Sequence, residues 1–240
     1  MRKSKLDLTR LPEHIGIIMD GNGTWAKKRG LPRNYGHKKG AKTLIDLVYY
    51  ANELGIKYFT VFAFSTENWK RPKEEVDYLM NLPIDFINEN KDKMNNDNIK
   101  ISLIGRRDRI NDELKEKIND IEEETKNNSG LHFIIAFDYG SQDEIVRAIN
   151  NIIKDKVKIV NEELFESYLD TNGFPMVDLL IRTSKQIRIS NFLLWQIAYS
   201  ELFFTNTLWP DFNIKEFNKA LIEYQKRERR FGGLKWKKEL

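Results

Sequence analysis

Short apolar runs, each followed by a segment of helical periodicity, constrain this chain more than any other feature. Ile15–Met19, Tyr58–Phe64, Ile99–Ile104, Leu131–Phe137, Val177–Ile181 and Glu201–Thr205 are short and rich in β-branched or aromatic residues, so they read as strands. Between the first two, Gly40–Leu54 carries Ala41, Leu44, Ile45, Val48 and Ala51 on one helical face, and Gly55 supplies the stop. Helices are also expected over Lys73–Met94, Asn111–Thr125, Asp143–Ile153, from Glu162, over Phe192–Ala198 and over Phe212–Arg230. Arg29–His37 reads as a loop because its Gly and Pro break any period. Lys154–Val160 reads as a charged linker. Strand–helix–strand order predicts a single α/β domain with a mostly parallel sheet of about six strands flanked by helices. That domain takes in residues 1–240, with an N-terminal arm over 1–13 and a basic C-terminal tail over 227–240.

The most informative single stretch is His14–Trp25. A buried strand runs into Asp20, and Gly21 and Gly23 then allow a sharp turn and a close approach to a ligand. A helix opening near Trp25 would offer free N–H groups to an anion. The stretch fits a metal-plus-phosphate site, and equally a tight turn with a capping aspartate. Gly21–Ala26 also fits the dinucleotide pattern G-x-G-x-x-G/A. That pattern needs an acid at the end of the next strand, about 20 residues on. Asp46 lies inside a helical pattern and Glu67 comes too late, so nicotinamide or flavin binding ranks low.

Composition narrows the chemistry. With no Cys among 240 residues, disulfides, thiolate metal sites and cysteine nucleophiles are excluded. The net charge of +4 is concentrated at the two ends and suits an anionic ligand or membrane surface as well as nucleic acid. No recognition motif interleaves the basic residues, so no nucleic-acid partner is expected. No apolar run approaches a membrane span and no signal-peptide core follows the basic start, which predicts a cytoplasmic protein.

Asp20, Ser65 with Asn68, Asp138 and Arg182 each fall just past a strand's carboxyl end, where open α/β sheets bind ligands. Arg33, His37, Arg71, Arg182 and Arg188 add cations suited to phosphate oxygens, and Asp20 and Glu201 add carboxylates suited to Mg²⁺. Together they predict a Mg²⁺-dependent diphosphate site. Val76, Leu79, Met80, Pro83, Phe86 and Ile87 form an apolar stripe on the adjoining helix, and Pro83 is expected to kink it. Such a stripe packs a core or lines an apolar ligand site; the pattern is the same for both.

The stretches Ile17–Gly23, Gly36–Lys38, Phe64–Pro72, Arg188–Gln196, Glu201–Phe204, Leu208–Phe212 and Arg227–Gly233 resemble the cis-prenyltransferases, the undecaprenyl diphosphate synthase family. The resemblance covers about Ile15 to Gly233, and no D-D-x-x-D segment of the all-helical trans-prenyltransferases is present. It implies a homodimer that joins isopentenyl diphosphate to an allylic prenyl diphosphate with a cis double bond, and a peripheral membrane contact through the lipid product. Asp20 is implied as catalytic and metal-binding, and Glu201 as a second metal ligand. Asn68 is implied to assist proton removal. Gly21, Asn22, Gly23, Arg33 and His37 would hold the allylic diphosphate, Arg182, Arg188 and Ser190 would grip the isopentenyl diphosphate, and Thr24 and Trp25 are further substrate-binding positions. Ser65, Thr66, Glu67, Trp69, Arg71 and Ile189 complete the substrate-binding set. The stripe on the long helix would line a tunnel for the hydrocarbon. In homodimers of this kind the C-terminal segment reaches the partner's site, here through Arg229 or Arg230.

Three positions depart from the family pattern. Thr24 stands where Arg is usual, Asp138–Gln142 replaces Asn-Tyr-Gly-Gly-Arg, and Arg182–Arg188 replaces Arg-Thr-Gly-Gly-Glu-x-Arg. Lys185 is a candidate to replace the charge lost at Thr24. These changes also fit a divergent enzyme with short, irregular or cyclised products, or a non-catalytic subunit of another prenyltransferase.

Overall fold

The computed structural model describes residues 6–228. A six-stranded, wholly parallel sheet forms the centre, in the order β3-β4-β2-β1-β5-β6. Its strands are β1 (His14–Ile18), β2 (Tyr58–Ser65), β3 (Lys100–Ile104), β4 (His132–Tyr139), β5 (Leu179–Arg182) and β6 (Glu201–Phe204). The helices among the described residues are α1 (Asn22–Lys27), α2 (Arg33–Glu53), α3 (Lys73–Asn96), α4 (Asp112–Thr125), α5 (Ser141–Lys154), α6 (Glu162–Glu166) and α7 (Ile214–Gln225). The chain adds β2, β4 and β3 on one side of β1, then crosses to add β5 and β6 on the other. The carboxyl ends of β1 and β5 flank that reversal, the usual place for a ligand crevice.

Residues of α2, α3, α4 and α7 pack on one sheet face around Leu47, Phe59, Phe133 and Phe217, all fully buried. The opposite face is covered around Phe192 and Leu193, where Phe192 stacks on Phe62 at 4.5 Å. Near the start of the chain, the Asp7 N–H donates to the Gln225 amide oxygen on α7, and the Gln225 amide donates back to the Asp7 and Arg10 carbonyls.

Four sequence expectations need correction. The segment read as a loop over Arg29–His37 becomes helix from Arg33, because Pro32 fixes the approach and α2 then runs 21 residues. Gly36 and Gly40 are not breakers there. A Cβ on Gly36 would lie 2.0 Å from the Asn22 carbonyl oxygen, and one on Gly40 2.3 Å from Asn22 Oδ1. Their bare backbone lets α2 press against the start of α1. Ser65, Asp138 and Arg182 lie inside β2, β4 and β5, not beyond their ends. Phe192–Ala198 is a series of turns, with positive φ at Ser190, Asn191 and Leu193, since Phe192 and Leu193 are both driven into the core. The last helix ends at Gln225. The tail residues Arg229 and Arg230 lie outside the described residues.

At the amino end of the sheet, His14, Tyr58 and His132 stand in register on neighbouring strands. His14 bonds to the Pro175 carbonyl and the Thr60 hydroxyl, and His132 to the Ser102 hydroxyl. Burial pushes both imidazoles from their ordinary 6.5 down to about 4. Unfolded, they take up protons near pH 6.5, while the folded chain keeps them neutral to about pH 4. Stability is therefore lost as pH falls through that window. Thermal melts should show a falling melting temperature from pH 6.5 to 4, and His14→Gln with His132→Gln should flatten that slope. An unchanged slope in the double variant would remove the histidines as its cause.

Candidate active site

At the carboxyl ends of β1, β2 and β5 a cleft of about 1090 Å³ opens. Its wall includes Asp20, Gly21, Asn22, Gly23, Thr24, Arg33, His37, Ser65, Glu67, Asn68, Arg71, Arg182, Arg188 and Ser190. Register explains the meeting of β1 and β5: Ile18 pairs with Arg182, so Asp20, two residues on, faces the start of the next loop. Arg182 Nη2 donates to Asp20 Oδ2 at 3.0 Å, while Nη1 donates to Ser190 Oγ at 2.7 Å and to the Arg188 carbonyl. The Arg182 side chain is only 4% exposed, and that of Asp20 36%, so the pair has one buried and one accessible member. The Asp20 backbone is held as well, by the Thr183 hydroxyl and the Trp209 N–H on its carbonyl.

From β2 comes a 3₁₀ turn over Thr66–Lys70. Ser65 and Asn68 close it reciprocally, and the Ser65 N–H donates to Asn68 Oδ1 at 3.2 Å. Asn68 therefore presents its NH₂ as the remaining polar group. Glu67, which burial alone would push up, is held below the usual carboxylate range by the Asn191 amide and groups of its own turn.

The opposite wall carries the cations of α2 and the start of α3. Glu75 accepts from Arg33 at 3.1 Å and from Arg71 at 3.0 Å. His37 Nε2 lies 3.7 Å from the same oxygen, too far for a hydrogen bond. Burial pushes the His37 imidazole down to about 4, so at neutral pH it is uncharged and the contact is not an ion pair. Among the described residues, Asn22 Oδ1, His37 Nε2 and Arg182 Nε are buried polar atoms without a hydrogen-bond partner, and all three residues line the cleft. Buried polar groups are normally satisfied, so such orphans clustered in one cleft suit a polar ligand.

Other sequence-nominated residues lie elsewhere. Trp25 donates its indole N–H to Asp211 and carries Arg29 over its ring. Trp69 points its indole N–H to Asp138. Ile189 packs on the second core cluster. Thr66 meets Gly140 from behind the cleft. Glu201 is not brought to Asp20. It opens β6 in register with Leu179 and, through β5, with Ile15, at the amino edge of the sheet. Asp20 lies beyond the far end of β1, whose last residue Ile18 is already roughly 10 Å from Ile15 at strand rise. Glu201 pairs instead with Arg227 at 2.8 Å.

The departures also sort themselves. Gln142 is exposed and does not line the cleft. Gln186 still accepts from Arg188. Lys27, one turn beyond Thr24 on α1, lines the cleft, whereas Lys185 does not. Sequence reasoning missed Lys27, Asn191 and Glu75. Glu75 alone left a trace, its i,i+4 spacing from Arg71.

Most of the chain matches known proteins. The family model for putative undecaprenyl diphosphate synthase matches residues 18–232. The chain belongs to the undecaprenyl diphosphate synthase family. It is a prenyltransferase. An isoprenyl transferase of Fusobacterium nucleatum is 55% identical over 225 residues, covering 94% of this chain and 97% of the relative. One from Aquifex pyrophilus is 53% identical, covering 93% and 96%. Lavandulyl diphosphate synthase from Lavandula x intermedia, in complex with dimethylallyl diphosphate, superposes with a TM-score of 0.89 at 37% identity, covering 93% and 99%. A probable undecaprenyl diphosphate synthase from Campylobacter jejuni gives 0.78 at 36%, covering 96% and 100%.

Where the family pattern has two glycines, Ser184 and Lys185 hold φ of +72° and +61°. Left-handed backbone without glycine costs on the order of 1–3 kcal/mol per residue. Ser184→Gly and Lys185→Gly, net of the entropy glycine gives the unfolded chain, should each stabilise by about 1 kcal/mol. That corresponds to a rise of about 2–4 °C in melting temperature. A fall in melting temperature would show that side-chain contacts outweigh the strain.

Proposed function

We propose that the chain condenses isopentenyl diphosphate with an allylic prenyl diphosphate in a Mg²⁺-dependent reaction that leaves a cis double bond. One observation carries the reading: Asp20, Asn68, Arg182, Arg188 and Ser190 converge in one cleft, opposite Arg33 and Arg71. The lavandulyl enzyme's dimethylallyl diphosphate is an allylic diphosphate, which supports that substrate class.

In the reaction the allylic C–O bond breaks and the diphosphate keeps the electron pair. The terminal carbon of the isopentenyl double bond attacks the freed carbon, and the positive charge passes to the neighbouring tertiary carbon. A proton then leaves the CH₂ between that carbon and the diphosphate-bearing carbon, so that its C–H electron pair forms the new double bond. Arg33 would stabilise the charge that develops on the departing diphosphate, while Arg182 and Arg188 would hold the isopentenyl diphosphate and Arg71 would stand beside Asn68; all four line the cleft. The Asn68 amide is no base. Its NH₂ instead orients a diphosphate oxygen or water that accepts the proton.

The donor set fits Mg²⁺. Asp20 offers an accessible carboxylate in a cleft suited to phosphates, and Mg²⁺ commonly joins one or two carboxylates to substrate phosphates. Asp20 would hold it, and Mg²⁺ would supply charge neutralisation for the leaving group. Glu201 has no part in this set within one chain.

Beside the cleft, Leu44, Val61, Leu79, Leu82, Pro83 and Phe86 line an apolar cavity of about 90 Å³. We assign the hydrocarbon to it. Common small-molecule sites hold roughly 300–1,000 Å³. This small volume favours a second reading, in which chains end short. A homodimer is supported by the apolar side chains exposed on α5, Val146, Ile149 and Ile153, and by Leu202 on the edge strand β6.

Purified protein with Mg²⁺, isopentenyl diphosphate and labelled allylic primers of several lengths tests the reading, with product sizing. Asp20→Asn keeps an acceptor for Arg182, so it should fold normally and lose at least about a hundredfold in turnover. Near-normal turnover would remove Asp20 from the chemistry. Long polyprenyl products from the unaltered protein would remove the short-chain reading alone.

A further inference from the structure

Asp138 lies outside the cleft wall, is fully buried, and takes φ of +46° at the end of β4. Its carboxylate is used on both oxygens. Oδ2 accepts from Arg109 Nε at 2.8 Å, and Oδ1 accepts from Arg109 Nη2 at 2.5 Å and from Trp69 Nε1 at 2.8 Å. The Arg109 guanidinium also stands 5.7 Å from the Trp69 ring centre.

Trp69 follows Asn68 in the 3₁₀ turn. The turn is tied to β2 through Ser65, and its far end is tied to β4 through the Trp69 indole. Phe64 strengthens the same junction, stacking on Phe137 at 5.3 Å and meeting Trp69 edge-on at 5.3 Å. A lone buried carboxylate is costly, and the bidentate arginine offsets that cost. The charge that makes burying Asp138 costly also makes it a strong acceptor for a neutral indole N–H.

We propose that Asp138 and Arg109 form a positioning pair that aims the Asn68 turn at isopentenyl diphosphate by fixing the Trp69 indole. The inference rests on the isoprenyl-transfer reading of the cleft. Neither residue touches substrate; both act through Trp69. The usual family residue at this position, asparagine, can accept the indole N–H but cannot make the charged bidentate pair.

Asp138→Leu should lower kcat/KM for isopentenyl diphosphate at least tenfold and leave the allylic KM within twofold. Asp138→Asn, which keeps the acceptor, should restore activity to within threefold. In a Trp69→Phe background the indole donor is gone, so Asp138→Leu should cost less than a further twofold. A folded Asp138→Leu enzyme with unchanged kinetics, equal losses for both substrates, or full additivity with Trp69→Phe would each overturn the proposal. Should Asp138→Leu fail to fold, Arg109→Gln serves, with a smaller loss of the same sign. The indole ¹⁵N–¹H resonance of Trp69, assigned through Trp69→Phe, should move in Asp138→Leu far more than in Asp138→Asn. That spectrum reads the anchor without turnover, so an inactive unaltered protein would sink the functional reading while the spectrum still decides the anchor. A Trp69 resonance insensitive to both substitutions would overturn it.

Discussion

The Arg182 guanidinium holds the cleft together. It is almost wholly buried, yet its bonds join two separate pieces of chain: the Asp20 carboxylate beyond β1, and the Ser190 hydroxyl and Arg188 carbonyl in the loop beyond β5. Such a group is tolerated inside a protein because most of its donors are used; Nε alone is left without a protein partner. The loop from Thr183 to Asn191 has no regular structure of its own and includes four non-glycine residues at positive φ. It is shaped by what Arg182 and its backbone neighbours require, including the Ser184 and Lys185 N–H groups on the carbonyls of Thr207 and Thr205. The parallel register of β1 with β5 sets where this guanidinium stands. The rest of the cleft is arranged around the resulting pair.

Five strands are readable because each is a largely buried run bounded by polar turn residues, as a parallel sheet with both faces covered demands, and the half-buried edge strand β6 is readable from its Leu-Phe-Phe run. Their parallel sense follows from alternation with helices, and their carboxyl-end segments carry Asp20, Asn68 and Arg182. The start of α2 was not readable. Gly36 and Gly40 look like breakers in one dimension, and only the nearness of Asn22 shows that they are there for close packing. The turns at Phe192–Ala198 were misread for a related reason: an apolar run carries the same signal whether it coils or folds back into a core.

Glu201 shows a different limit. It was nominated through a family pattern, and a pattern carries no coordinates. One chain's sheet puts Glu201 at the edge opposite Asp20, beside Arg227. Trp69 and Thr66 make the same point less sharply. Both sit in the correct turn, but their side chains serve the scaffold and not the cleft wall. Sequence adjacency to a functional residue thus located the segment and not the direction of each side chain.

Glu75 gives the empty cleft a resident anion. Arg33 and Arg71 already share its carboxylate, and the Arg33 side chain is 63% exposed. Glu75 itself is only 12% exposed, so the pairs are part-sheltered, with Arg33 the member that water reaches. An anion that enters the cleft therefore trades places with a carboxylate and does not meet bare charge. The trade trims the net attraction, because the separation of Glu75 from its arginines is subtracted from what the anion gains. It also works in reverse: as such an anion departs, Glu75 reclaims the cations and no uncompensated charge is left behind. Arginines kept company in this way hold an anion with a modest grip and give it up more easily than bare ones would.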